Sequence, residues 1–494
     1  MSRLSPLRAI AIAALCLTVC LGLAACGSQL TPETVAQVNG TTTGGAGGAT
    51  GTSDGTVPGD SSVPGSSDAG GAAAAGGGST GSTTGGSGGS AASGDAPAGD
   101  AAQGTGANAA TGGKKAGSCD GFKNQTGITD KTITLANVAD ISGPVPGIFE
   151  SAQQATRAYA AYFNSTNDIC GRKLDVELLD SRADAGADQQ AYTKACDDAF
   201  AAVGSMGAFD SGGAGAAQSC ALPDIRSTTT TPERRDCTTC FAAQSVDPGL
   251  VNPAMPKYFL QKDKDATQHA AVLYINAGAA AVNAQSFRNA YTRAGWKVDY
   301  FQGIDVSEFN YAPYVQQLKD KGIKLVTYTG PYQNTVKLLE AMQQQGYKPD
   351  AFVQDSTIYD ANFVEQAGSN GNGVYAWSST KMFDDYSVKE MQLYRAWLDQ
   401  VKPGAVPNYF GLYAWSAARL FVEQATQLGG KLTRASLVAA LKGVKDWTGN
   451  GLHVPQQVGA KTTANCGSVL QLNDGKWKQV SSGTYLCGPL LNGN

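Results

Sequence analysis

Residues Ile133–Asn164 read ITLANVADISGPVPGIFESAQQATRAYAAYFN. The start alternates as a buried strand does, with Ile133, Leu135 and Val138 apolar. A Ser-Gly-Pro-Val-Pro-Gly loop follows, then a run that places Ala152, Ala155, Tyr159, Tyr162 and Phe163 on one helical face. Strand, Gly/Pro loop and helix make half of a βαβ unit. In such sheets ligands sit in the crevice beyond the strand's carboxyl end. Ser142–Phe149 is therefore expected to rim a cleft, with Ile148 or Phe149 reaching an apolar part of the ligand.

The same alternation continues on both sides of a midpoint. One series gives strands at 133–139, 173–180, 201–205 and 224–228, with helices at 149–163, 188–200 and 212–220. A second gives strands at 270–276, 297–301, 323–329 and 351–354 and helices at 281–294, 311–321 and 334–345, the last two closed by Gly322 and Gly346. Strands alternating with helices of this length imply a parallel sheet in each half. Three helices are expected within 388–441, returning to the first half, and short strands and turns after Trp447. The expected fold is α/β: two doubly wound Rossmann-like lobes joined by a hinge, the first from 118–246 and 376–450, the second from 247–375 and 451–494. A ligand would lie between them.

Ahead of these lobes, Arg3 and Arg8 precede an apolar run from Ala9 to Ala25, the layout of a secretory signal over residues 1–25. It ends in Leu23-Ala24-Ala25-Cys26-Gly27, similar to the bacterial lipoprotein cleavage box, in which the cysteine becomes the lipidated first residue. An ordinary signal peptide is the alternative. Residues 26–117 are expected to form a tether, almost wholly Gly, Ala, Ser, Thr and Asp from Thr41 onward, too poor in apolar side chains to offset ordering entropy. From Thr41 to Gly117 a coil spans roughly 50 Å. The expected location is the outer face of the cell membrane, held by a lipid.

A net charge of −4 without a Lys/Arg cluster gives no footprint for nucleic acid. Eight of the eleven cysteines remain after Cys16, Cys20 and Cys26, an even number in an exported chain, so four disulfides are expected. Connectivity does not follow from sequence; the working pairing is Cys119–Cys170, Cys196–Cys220, Cys237–Cys240 and Cys466–Cys487. Zinc at Cys237-Thr-Thr-Cys240 would need a second matching pair, which the chain lacks, so no metal is expected. A dinucleotide enzyme would need Gly-x-Gly-x-x-Gly after a strand, which neither 142–147 nor 278–281 provides, so no cofactor is expected. A hydrolase would need an activated nucleophile, and His269 and His453 stand apart from any Ser or Cys motif. A carboxylate pair drawn from Asp140, Asp210, Asp355 and Asp360 is the residual catalytic alternative.

Three loops carry the expected binding chemistry. Val203–Gly213 is glycine-punctuated before a helix, where free N–H groups would favour an anion. Ser227–Thr231 offers consecutive hydroxyls at a strand end, donors without fixed charge. Tyr328–Tyr332 and Gln354–Ser356 supply an acid and aromatic rings for a ligand ammonium.

ITDKTITLANVADISGP, CGRKLDVELLDSRAD, AAVGSMGAFDSGGAGAAQS and PDIRSTTTTPE, in that order, resemble the periplasmic binding proteins for leucine, isoleucine and valine. Lys445-Asp446-Trp447, Gly451–Pro455 and Asp474–Trp477 resemble tail elements of actinobacterial lipoprotein members. The resemblance implies a hinge-bending solute binder, not an enzyme, serving the membrane permease of an ABC importer. It implies that Ala208, Phe209, Asp210 and Ser211 with Thr228, Thr229 and Thr230 grip a carboxylate, and that Asp355 and Tyr332 balance an ammonium. Two departures are evident: Ala208 stands where the family often has a hydroxyl, and Asn276–Ala280 lacks the family's aromatic. Amides and other small acids are therefore alternatives to a branched-chain amino acid. An extracytoplasmic sensor of the same fold remains the alternative to a transporter component.

Overall fold

The structure, a computed structural model, describes residues 115–494; the expected signal peptide, Cys26 and nearly all of the tether lie outside them. The first series opens with β1 (Thr132–Ala139), α1 (Glu150–Thr166), β2 (Lys173–Asp180), α2 (Ala185–Asp198), β3 (Ala201–Val203) and α3 (Ala214–Ser219). It closes with β4 (Asp224–Thr228), α4 (Pro232–Asp236) and β5 (Cys240–Gln244). The second comprises β6 (Leu250–Val251), α5 (Ala254–Lys262), α6 (Lys264–Thr267), β7 (Ala270–Ile275), α7 (Gly278–Ala294), β8 (Val298–Ile304) and α8 (Ala312–Asp320). It continues with β9 (Leu325–Thr329), α9 (Tyr332–Gln344), β10 (Ala351–Gln354), α10 (Ala361–Ala367) and β11 (Tyr375–Ser378). Then come α11 (Lys389–Val401), α12 (Tyr409–Leu428), α13 (Arg434–Lys442), β12 (Cys466–Asn473), β13 (Lys476–Gln479), β14 (Leu486–Cys487) and β15 (Leu491–Asn492).

The opening stretch folds as its periodicity predicts. Ile133, Leu135 and Val138 are buried in β1, and Ala152, Ala155, Tyr159, Tyr162 and Phe163 form the buried face of α1. That face packs against α12, where Trp415 meets Tyr159 edge-on at 4.8 Å and stacks on Tyr162 at 5.9 Å. Helix α12 is apolar almost all round because it is buried on every side. Its Arg419 is paired with Glu390 at 2.6 Å and with Glu423 at 2.8 Å, so this buried cation is compensated. Gly322 and Gly346, at φ +61 and +60, stand just past α8 and α9, a backbone conformation that glycine adopts without steric cost.

The first sheet is parallel throughout, in the order β2-β1-β3-β4-β5. The second runs β13-β12-β11-β10-β9-β7-β8, parallel from β11 to β8 and antiparallel at β12 and β13. Strand order reverses between β1 and β3 in one sheet and between β7 and β9 in the other, so each opens a crevice at those strand ends.

The chain passes between the sheets three times, which shifts two expected boundaries. Residue 376 falls inside β11, which pairs with β10 and β12 and so belongs to the second sheet. Residues after 451 still pack on the first lobe: Leu452 and Val458 are buried in the core that contains α12, and Lys461 Nζ donates to the carbonyls of Arg235 and Cys237. The second sheet is rejoined at Cys466. The elements α4, β5, β6, α5, α6, α10 and β11 are additions to the expected ones.

All four working disulfides are formed: Cys119–Cys170, Cys196–Cys220, Cys237–Cys240 and Cys466–Cys487. The last joins β12 to β14 in direct register.

Candidate ligand-binding cleft

A cavity of about 260 Å³ lies where the two sets of strand ends face each other. The loop after β1 contributes Asp140, Pro144, Val145, Ile148 and Phe149; those after β3 and β4 contribute Ala208, Phe209 and Thr228–Thr230. Opposite are Ile275, Ala277 and Ala280 around the start of α7, Thr329–Pro331 after β9, and Asp355–Thr357 after β10. The crossing segments close the back.

Why the loop after β3 holds its shape is visible beneath it. Asp210 is fully buried, accepting from the Thr231 hydroxyl at 2.6 Å and the Thr230 N–H at 3.0 Å. Arg226 Nε lies 3.5 Å from the same carboxylate. Arg234 in turn binds Asp188 at 3.0 Å and Asp224 at 2.9 Å, and Asp224 accepts from the Tyr192 hydroxyl at 2.9 Å. Two guanidiniums and three carboxylates share one buried cluster, which fixes the first-lobe wall.

This cluster revises the expected anion site. The N–H of Gly213 ahead of α3 donates to Asp188 Oδ2 at 2.7 Å, so the anion at that helix start is the chain's own. The Ala208 N–H donates to Asp140 at 2.8 Å, so that donor is taken by the chain's own carboxylate. Asp210 acts on the ligand wall through Thr230 and Thr231. Neither Asp210 nor Ser211 lines the cavity.

Tyr332 also lies outside the lining. It opens α9 and is half-buried. Of the expected contacts, Phe149, Ala208, Phe209, Thr228, Thr229, Thr230 and Asp355 all reach the cavity. Phe149 is 5 % exposed and edge-on to Phe410 at 5.0 Å, so it both packs and lines. Thr230 spends its hydroxyl on the Gly207 carbonyl at 3.0 Å.

The crossing segments add a polar belt. Gln244 donates to the Tyr409 hydroxyl at 2.6 Å, and Ser379 bonds the hydroxyls of Tyr409 and Tyr413 at 2.7 and 2.8 Å. Gln456 donates to Tyr413 at 3.1 Å and accepts from the Ser245 N–H at 3.0 Å. All three passages between the sheets are thus tied to α12. The residues come from positions more than 200 apart in sequence, 245 to 456, and no local pattern announces them.

The charge inventory of the cavity is one-sided. Its lining holds Asp140, Asp247 and Asp355, and no Lys, Arg or His. Asp140 is satisfied by the Ser181 hydroxyl at 2.6 Å and the N–H groups of Ala183 and Ala208. Asp247 is paired with Arg235 at 3.0 Å. Asp355 has only Thr357, whose N–H donates to Oδ1 at 2.9 Å. Burial pushes its pKa up, and the Thr357 hydrogen bonds only partly oppose that. Among the described residues that line the cavity, no Lys, Arg or His stands against this carboxyl group.

Residues 132–476 match the profile of the family described as Periplasmic binding protein. The chain belongs to the periplasmic binding protein family. Its fold is the type I form, and many structurally similar proteins are branched-chain amino acid ABC transporter binding proteins.

One solved relative is the branched-chain amino acid transporter substrate binding protein of Streptococcus pneumoniae in complex with isoleucine. It has a TM-score of 0.61 at 17% identity, over 71% of this chain and 99% of that one. A fatty acid ABC transporter substrate-binding protein from Thermomonospora curvata gives 0.62 at 16%, over 73% and 94%. A solute binding protein from R. palustris in complex with 4-hydroxybenzoate gives 0.61 at 17%, over 71% and 96%. At these identities the likeness is one of fold. No curated protein sequence matches this periplasmic binding protein. Among the described residues no helix is long and apolar enough to cross a membrane.

Proposed function

We propose that this periplasmic binding protein is the solute-binding component of an ABC importer, lipid-anchored through Cys26 at the outer face of the cell membrane. It takes an amine-bearing small solute, an amino acid or a related amide, between its lobes. The lobes hinge where the chain crosses at 245–249, 379–388 and 443–465, and the bound ligand stabilises the closed form through its higher affinity for it. The observation that carries this reading is Asp355, a carboxylate without a cation in a cavity whose lining has none. Of the solutes named for the structural relatives, isoleucine carries an ammonium, whereas a fatty acid and 4-hydroxybenzoate bring a second negative charge.

Calorimetry on the full chain against amino acids, amides and amine-free acids tests it. Amine-bearing solutes should bind and Asp355→Ala should abolish that binding. Selective binding of amine-free acids, indifferent to Asp355→Ala, would overturn it.

A further inference from the structure

The cavity does not end at the cleft. It continues into the second lobe along α7, whose Ala279, Asn283, Phe287 and Tyr291 all line it. These positions are four apart and share one helical face, which at 1.5 Å per residue runs roughly 18 Å, more than three turns. One end, Ala279, touches the first lobe; the other, Tyr291, is 2 % exposed in the second lobe's core.

The floor of this recess is the second sheet. Thr327, Val353 and Tyr375 are adjacent in register on β9, β10 and β11. Thr329, Asp355 (one residue past the end of β10) and Trp377 line the recess together with Met255 of α5 and with Phe287 and Tyr291 of α7. Asp355 thus stands where the cleft meets the recess, lining both. Around it in the lining are Met255 of α5, Phe287, Tyr291 and Trp377. The Phe287 and Tyr291 rings stack with centroids 5.8 Å apart and planes 4° from parallel.

An apolar tail laid here would bury the Asp355 carboxylate without a partner, at a cost of several kcal/mol. A compact α-amino acid would fill one end only. Carboxylate and aromatic faces together favour an organic cation, whose charge the acid balances and whose alkyl substituents the rings cover.

We propose that the ligand is an elongated organic cation: an alkyl-substituted ammonium lodged among Phe287, Tyr291, Trp377 and Asp355, with an uncharged polar group at its far end. That far end reaches Thr229, whose hydroxyl makes no hydrogen bond among the described residues. The inference rests on the solute-binding reading above and keeps its amine-bearing ligand, with an alkylated ammonium and no carboxylate in place of the amino acid.

Calorimetry on the full chain with three probes tests it. They are a trimethylammonium ion bearing a terminal hydroxyhexyl chain, its uncharged isostere with carbon in place of nitrogen, and leucine. The cation should bind at least about tenfold more tightly than the isostere, and Asp355→Asn or Trp377→Leu should each weaken it about tenfold. Unliganded melting temperatures separate loss of binding from loss of folding, and Phe287→Leu gives a second reading of the aromatic faces. Equal binding of the isostere, or a folded Trp377→Leu that binds the cation unchanged, overturns the proposal. So does absence of any cation binding. Leucine binding that depends on Asp355 but ignores Phe287→Leu and Trp377→Leu removes the recess and leaves the solute-binding reading intact. Binding of amine-free acids alone removes both.

Discussion

The backbone N–H of Ala279, at the start of α7, donates to the carbonyl oxygen of Ala208 in the other lobe at 2.9 Å. A helix start has unpaired N–H groups, and here one is satisfied only when the two lobes meet. The adjoining Gly278 has φ +50, and a Cβ there would stand 2.6 Å from that same oxygen and 3.2 Å from the Phe209 ring. Closure therefore depends on a residue without a side chain at this point.

Gly278→Ala should accordingly disfavour the closed form. The left-handed strain of roughly 1–2 kcal/mol acts in every state, whereas the clash with Ala208 acts only when the lobes touch. Ligand affinity should fall by about tenfold or more with a smaller change in melting temperature. Calorimetry and small-angle scattering with and without ligand check this; unchanged affinity would remove the contact from the closing mechanism.

Binding of an ammonium should weaken on acidification. Asp355 must be ionised to balance it, and burial has raised its pKa above the ordinary 3.8. Affinity is full well above the raised pKa and is lost as pH falls through it, so the loss begins at a higher pH than for an exposed carboxylate. Asp355→Asn should bind weakly at every pH with no such slope. Calorimetry from neutral pH down to the onset of acid unfolding provides the profile.

The buried cluster under the loop after β3 makes a stability prediction. Arg234→Met keeps the volume but leaves Asp188 and Asp224 facing each other without their shared cation. Removal of one partner from such a cluster costs about 3–5 kcal/mol. Urea unfolding should show a loss of that size, and a loss below about 1 kcal/mol would mean that the cluster relaxes or hydrates.

The lobes were legible because their strands and helices are regular. Ile133, Leu135 and Val138, or the face from Ala152 to Phe163, bury the positions that their periodicity marks. The cavity lining was legible only where a loop follows a recognisable strand, as at Thr228–Thr230 and Asp355. Asp210 looked like a ligand contact because nothing local shows that Arg226 and Arg234 fold back beneath it. Phe287 and Tyr291 carry no site signal in the sequence, because a helix face lining a recess and one packed on a sheet have the same spacing. Gln244, Ser379, Tyr409 and Gln456 converge only through the three crossings, which no short-range pattern encodes.

His453 should set part of the acid limit of stability. It is 3 % exposed, lies against the Tyr413 ring at 4.9 Å and the Trp447 ring at 5.1 Å, and uses Nδ1 on the Val454 carbonyl at 3.0 Å. Burial lowers its pKa from 6.5 to about 4. The unfolded chain therefore binds a proton that the folded chain refuses between those values. The stability is fully present above pH 6.5 and is lost as pH falls toward 4, by up to about 3 kcal/mol. Asp188, raised to about 6 by burial despite Arg234, works in the opposite sense, gaining stability as it takes up its proton. The readout is therefore the difference between the native protein and His453→Phe in urea unfolding at a series of pH values. That difference should shrink by about 3 kcal/mol from pH 7 to pH 4, and a constant difference would place the histidine in a hydrated, titrating environment instead.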